Sequence, residues 1–540
     1  MPRQQYIHRP YPFVAGPLGH VEGLSVCAAA SEKPLCRYFG GLPYALPPVG
    51  PHRFRRPRPL PDHHRYGTKA NPGRFTGQCA YCPQLTHGGA LDSSLLDENC
   101  LQLNIYMPAR PPPPQGWPVL FYIHGGFLQW GTPNSLPNAL TPLLSETAFN
   151  AMIVAPAYRV NLFGFIAGTE LQTEAEQDGE CAGNLGFWDQ RLALEWTAMH
   201  IRHFGGDPHN ITVAGYSAGA HSTFHQLAHE LYFVPDDEAI IKRAIMWSNS
   251  PGVQPRTPTQ HQRQFDELLN RLKIPLDSRP DEKLRRLRET PAQQLVEAND
   301  CMQMSEFRAT TDGSFVHTRL MACIDDGDFG RRMQTRGITL MNGECRDEHT
   351  SYQTWRTPAD SYDALRARLI ADYPDDVVDR LLRHFCGTAQ TLPLGVTDWK
   401  DLFGRIYATM QVHSLERGFH HGLARSGLVF GRDVLRYRFD WRARCIDASF
   451  PLDLGVTHAS DLAIWFWGLD FGDGLSESDK VVLRGWNTAF ALFVSGGEPE
   501  WTSTSDVKEM RRLQSDGRTD VWLDDQWEQG CRVWDLVNGN

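Results

Sequence analysis

Chemistry in this chain centres on a serine. Ser217 is the middle residue of Gly215-Tyr-Ser217-Ala-Gly219, a G-x-S-x-G pattern. Three fixed positions in five residues carry little weight alone, so the flanks decide. Before the pattern, Ile211 to Ala214 is a short apolar run of strand type. After it, Ala220, Phe224, Leu227 and Leu231 recur at i, i+4, i+7 and i+11, the apolar stripe of a helix. Strand, tight turn and helix in that order lift a serine oxygen out of a sheet edge. Glycine is expected at 215 and 219 because a side chain there would collide with the turn or the neighbouring strand.

A hydroxyl is a weak nucleophile at neutral pH. It needs a base, and the tetrahedral intermediate it forms needs fixed hydrogen-bond donors. His124-Gly125-Gly126-Phe127 follows the apolar run Pro118 to Ile123, and an H-G-G run at the end of a strand can turn backbone N–H groups toward an oxyanion. The expected donors are the amides of Gly126, Phe127 and Ala218.

Positioning these groups takes a sheet. Cys100 to Tyr106, Pro118 to Ile123, Met152 to Ala155, Ile211 to Ala214, Ala244 to Trp247, Ile338 to Met341 and Val434 to Phe439 all read as buried or half-buried strands. Helices are expected at Leu185 to His203 and Ala218 to Leu231. The alternation predicts an α/β fold with a mostly parallel sheet covered on both faces. Arg256 to Asp300 has helical spacing at Phe265, Leu268, Leu269 and Leu272 and reads as insertions on the sheet. Pro111 to Pro114 cannot donate ladder hydrogen bonds and reads as an exposed connection. No repeat and no composition shift divides the chain, so residues 1–540 are expected to form one catalytic domain.

Composition excludes other classes. The 540 residues are 41% hydrophobic, 21% charged and 11% aromatic, a globular balance. The net charge of −10 gives no basic footprint for nucleic acid. Met1 to Pro10 has no apolar leader, and no run of roughly 18 apolar residues could span a membrane. A soluble, cytoplasmic protein without an anchor is expected. Its 12 cysteines are too sparse for a disulfide scaffold, and its oligomeric state is not legible.

Several ordered blocks then resemble the type-B carboxylesterase and cholinesterase-like family of α/β-hydrolases: Tyr38 to Gly50 with Arg53-Phe54, Asp97 to Asn104, Tyr158 to Phe165, Gly183 to Gln190 and Phe204 to Pro208. The resemblance covers nearly the whole chain. It implies one α/β-hydrolase domain, with helical insertions at about 255–335 and 355–430 walling an active-site gorge, and ester hydrolysis through an acyl-serine. It places the family's acid at Glu348, with Asp347 the nearest competitor and His349 where glycine is usual. The family's histidine falls at His458, in Gly455-Val-Thr-His458-Ala-Ser-Asp461. Ser217, Glu348 and His458 follow the chain order that this fold requires.

The resemblance also implies a disulfide between Cys82 and Cys100, open in a reducing compartment, and buried ion pairs Arg53–Glu98 and Arg159–Asp189. By family position, Phe127, Gln129, Trp130, Tyr216 and Tyr352 should line a bulky aromatic pocket. Tyr216 replaces the acidic residue of cholinesterases, which argues for an uncharged ester rather than a choline ester. His221, His225 and His229 lack a carboxylate at ligand spacing and read as a polar helix flank. No metal or cofactor is expected. Cys79 and Cys82 form a lone C-x-x-C without a second pair. A small-molecule ester is the expected partner. Acyl transfer to an alcohol or amine would use the same residues, so hydrolysis and transfer stay open. A non-catalytic binding relative would have lost the serine.

Overall fold

The computed structural model describes residues 5–85, 92–501 and 505–539; Met1 to Gln4, at the start of the expected leaderless segment, lie outside them. Its strands are β1 (Tyr6–Val14), β2 (His20–Ala28), β3 (Pro34–Pro43), β4 (Gly73–Arg74), β5 (Gln102–Pro108), β6 (Trp117–Ile123), β7 (Met152–Pro156), β8 (Gly206–Tyr216), β9 (Ile241–Trp247), β10 (Thr339–Cys345), β11 (Val434–Phe439), β12 (Glu509–Leu513) and β13 (Thr519–Leu523). They form one sheet in the order β1-β2-β3-β5-β7-β6-β8-β9-β10-β11-β12-β13, with β4 beside β2. From β7 through β12 every pairing is parallel. The strands expected from the sequence are the central ones.

Both faces of that centre are buried, as the continuous apolar runs require. In β6, Val119, Phe121 and Ile123 enter one core while Leu120 enters the other. The stripe on helix Ala218–Phe233 is fully interior: Ala220, Phe224, Leu227 and Leu231 are all buried. The flanking strands escaped the sequence reading because their residues send weaker signals. The edge strand β1 carries Pro10 and Pro12, which is tolerated where one side of a strand has no partner.

Two stretches carry the helices expected as insertions. Between β9 and β10 lie Pro258–Arg271, Pro280–Glu289 and Ala292–Asp300; between β10 and β11 lie Tyr362–Asp372, Asp375–Cys386, Trp399–Ala408 and Ser414–Ala424. Pro111 to Pro114 is a largely exposed connection between β5 and β6. Among the described residues, no helix is long and apolar enough to cross a membrane. The parallel strands all end at one edge of the sheet, which is where such sheets build their sites.

Candidate active site

Strand β8 ends at Tyr216 and helix Ala218–Phe233 begins two residues later, so the whole turn is Ser217. Its backbone sits at φ 57° and ψ −127°, a region that a non-glycine residue keeps only when its surroundings impose it. Close packing imposes it here. A Cβ on Gly215 would lie 2.1 Å from the carbonyl of Gly219, and one on Gly219 would lie 2.0 Å from the carbonyl oxygen of Ile123. Ser217 N–H donates to Trp247 O on β9 at 2.9 Å.

Two loops from the same edge meet this serine. His458 Nε2 is 2.8 Å from Ser217 Oγ, and His458 Nδ1 is 2.5 Å from Glu348 Oε2. The second carboxylate oxygen accepts Cys345 N–H at 2.8 Å. Burial alone would push the Glu348 carboxyl up, but the charge and hydrogen bond of His458 outweigh it and hold Glu348 below the ordinary carboxylate value. With its Nδ1 proton directed at Glu348, His458 presents the Nε2 lone pair to the hydroxyl. All three side chains are buried.

The competing acid is occupied elsewhere. Asp347 pairs with Arg346 at 2.8 Å and accepts Val456 N–H at 2.8 Å, tying the Glu348 turn to the loop that carries His458. His349 opens the helical turn His349–Tyr352 and has no positive φ. Histidine is therefore accommodated there without backbone strain.

The H-G-G loop runs from the end of β6 toward Ser217. A Cβ on Gly125 would lie 2.7 Å from Tyr216 O and 3.0 Å from Ser217 Cβ, so glycine permits the approach. Gly126 and Phe127 follow with φ of 112° and 57°. Ala218, first in its helix, has no N–H partner one turn back. The amides of Gly126, Phe127 and Ala218 thus come from the two turns that meet at the serine.

The carboxylesterase family model matches residues 10–519. The chain belongs to the carboxylesterase family. It is a carboxylic-ester hydrolase with the α/β-hydrolase fold. A carboxylic ester hydrolase of Gibberella moniliformis is 52% identical over 533 residues, which cover 99% of this chain and 97% of that one. An uncharacterized esterase/lipase of Schizosaccharomyces pombe is 36% identical over 97% of this chain and 96% of its own length. The crystal structure of Aspergillus niger EstA shares the fold at a TM-score of 0.73 and 22% identity, covering 98% of this chain and 99% of that one.

In this carboxylesterase the five residues expected from family position to line an aromatic pocket take different places around the serine. A cleft opens off Ser217, and of the expected residues only Phe127 lines it; His221, Asn249, Arg256, Arg308 and Tyr373 form much of the rest. The Phe127 ring stacks on Trp355 with centroids 4.5 Å apart, so it is packed among aromatics. Gln129 donates to Phe307 O at 2.6 Å and accepts Phe307 N–H at 3.1 Å, fastening the loop after β6 to an insertion. Together with Trp130 it lines a separate small cavity. Tyr216 and Tyr352 lie against His458, with ring centroids 4.9 and 4.7 Å away. Large side chains at these positions brace the site.

One further expectation changes. His225 and His229 are buried, stacked on Phe187 and Phe315, and His221 lines the cleft, so the row is no solvated flank. Burial pushes His221 down to about 4 and His229 to about 3. Among the described residues, no group of three or more potential ligands is placed to hold a metal ion. Cys82 and Cys100 are free and buried rather than bridged. The neighbouring Cys82 thiol, together with burial, raises the Cys100 thiol well above its ordinary value, and a protonated thiol is not the reactive form. Cys79 is also free and buried. The ion pairs are present: Arg53 Nε to Glu98 at 2.7 Å, and Arg159 to Asp189 at 2.8 and 2.7 Å.

Arg256, Arg308 and Asp372 lie at this cleft without having been read from the sequence. They belong to insertions, where an arginine or aspartate on a helical stretch has the pattern of a solvated face.

Proposed function

We propose that this carboxylesterase hydrolyses small-molecule esters through an acyl-enzyme on Ser217, with His458 as general base and acid and Glu348 as its charge partner. The observation that carries the reading is the unbroken chain from Ser217 Oγ to His458 Nε2 at 2.8 Å and from His458 Nδ1 to Glu348 at 2.5 Å. In the first half-reaction Ser217 Oγ bonds to the ester carbonyl carbon while its proton passes to His458 Nε2. The carbonyl oxygen gains negative charge, which the amides of Gly126, Phe127 and Ala218 receive. Collapse breaks the bond to the alcohol oxygen, and His458 returns the proton to it. Water then attacks the acyl carbon, giving a proton to His458, and the acid leaves as Ser217 regains its hydrogen. Glu348 stays ionised throughout and stabilises the imidazolium.

A fluorophosphonate probe followed by peptide mass spectrometry tests the reading. One adduct on the Ser217 peptide, absent from Ser217→Ala, is the expected result. An adduct elsewhere, or one undiminished by the substitution, would overturn it.

A further inference from the structure

The reaction geometry assigns the cleft to one half of the ester. His458 hands its proton to the leaving alcohol, so that alcohol lies on the His458 side of Ser217, and the carbonyl oxygen faces the amides. The remaining substituent, the acyl chain, must take the third direction. The cleft supplies it: Ser217, Ala218 and Phe127 line it, and His458, Glu348, Tyr216 and Tyr352 do not.

In the wall of this acyl cleft one cation, Arg256, lacks a close buried counter-charge. Three carboxylates, the buried Glu306 and Asp372 and the exposed Asp300, serve the three other arginines nearby. Arg308 and Arg368 bind both Glu306 and Asp372, and Arg356 binds Glu306 and Asp300. Arg256 has no such partner. It is 6% exposed, and its nearest carboxylate, Asp375, is 3.9 Å away, half exposed and shared with Arg263. One nitrogen, Nη2, donates to the carbonyls of Ile370 and Tyr373. Among the described residues, Nε and Nη1 meet no acceptor. Burial lowers the Arg256 pKa despite nearby aspartates, as expected of a cation taken from water without full repayment. His261, also in the wall, is pushed down to about 4 by burial and by Arg256 and is neutral at pH 7.

We propose that the acyl cleft receives a chain ending in a second, ionised carboxylate, with Arg256 as its partner, so that the preferred substrates are half-esters of dicarboxylic acids. A guanidinium with two unspent donors matches a carboxylate in charge and geometry. The proposal rests on the reading of Ser217, His458 and Glu348 given above, because that reading fixes which side of the serine the acyl chain takes. It replaces the uncharged ester suggested by Tyr216: that residue speaks for the His458 side only.

Three esters separate the outcomes: para-nitrophenyl hemiglutarate, para-nitrophenyl pentanoate of the same chain length, and para-carboxyphenyl pentanoate, which carries the charge on the alcohol. For the wild-type enzyme, kcat/KM for the hemiglutarate should exceed that for the pentanoate by roughly tenfold to a hundredfold, the range of a charge-assisted hydrogen bond. Arg256→Gln should collapse that ratio, and Arg256→Lys should keep part of it. A ratio is independent of how much enzyme is folded, so poor yield of a variant does not blunt the test. A wild-type ratio at or below one, a ratio unmoved by Arg256→Gln, or an equal gain from the alcohol-side carboxylate would overturn the proposal. Hydrolysis that survives Ser217→Ala would instead overturn the underlying reading.

Discussion

His458 Nδ1 lies 2.5 Å from Glu348 Oε2, while the carboxylate of Asp347 points to Arg346 and the Val456 amide. Two adjacent acids thus have separate tasks, one holding the imidazole and the other holding two loops together. Glu348→Gln keeps the shape but removes the charge that stabilises the imidazolium. Its kcat should fall by a factor approaching the roughly 10⁴ found when the acid of a serine-protease triad is neutralised. Asp347→Asn should cost far less in kcat and should instead lower the unfolding midpoint. Steady-state kinetics on both variants would expose a wrong assignment if Asp347→Asn proved the crippling one.

The turn at Ser217 depends on contacts with no room for a methyl group. Gly219→Ala would place a Cβ 2.0 Å from the Ile123 carbonyl oxygen, which belongs to the backbone of β6 and cannot rotate away. Overpacking of this kind costs about 1–3 kcal/mol or more. Because β6 also leads into the His124–Phe127 loop, any relief moves Gly126 and Phe127 relative to the serine. Thermal unfolding should show the loss, and fluorophosphonate labelling of the folded fraction should slow. A variant with native stability and labelling rate would contradict the contact.

Buried charge supports the fold elsewhere. Arg159 and Asp189 are 3% and 0% exposed at the side chain and doubly bonded, and Asp189 also accepts the Arg159 N–H. Asp189→Asn leaves the Arg159 charge uncompensated in the core, which costs about 3–5 kcal/mol. Urea unfolding followed by tryptophan fluorescence should register that loss, while Ser217 labelling persists at temperatures where the variant stays folded. Wild-type stability would mean the pair is dispensable.

Legibility in the sequence follows the range of the physics involved. Ser217 could be found because a strand, a glycine-flanked turn and a helical stripe are contiguous, and each is a local pattern. Glu348 and His458 have no local signature; they were reached through family blocks, and their partnership spans 110 residues. The central strands are continuous apolar runs because both faces are buried, whereas β1, with its prolines and half-exposed residues, sends no such signal. Arg256 was invisible for a different reason. Its meaning depends on how closely carboxylates approach it, and only packing of the insertions decides that. The same holds for Tyr352, whose ring could be placed near the site but not on His458 instead of the substrate.

A further buried acid, Asp461, closes the loop that carries His458. Asp461 is fully interior, and its Oδ2 accepts from Trp465 Nε1 at 3.3 Å and from the Tyr437 hydroxyl at 3.4 Å. Burial, then the charge of Glu348, raises its pKa from 3.8 to about 7, against the opposing pull of His458. The folded enzyme therefore holds a proton between about pH 4 and 7 that the unfolded chain has released. In that window the unfolded state binds fewer protons, so stability falls as pH rises, and above pH 7 the full cost of the buried charge is present. Asp461→Asn keeps an oxygen acceptor for Trp465 and Tyr437 but cannot ionise. Its stability relative to wild type should climb from pH 5 to about pH 7 and then level off, with a total gain on the order of a few kcal/mol. Differential scanning fluorimetry across that range decides the matter. A difference that stays flat with pH, or that shrinks as pH rises, would mean that Asp461 is ionised throughout and that its neighbours compensate it.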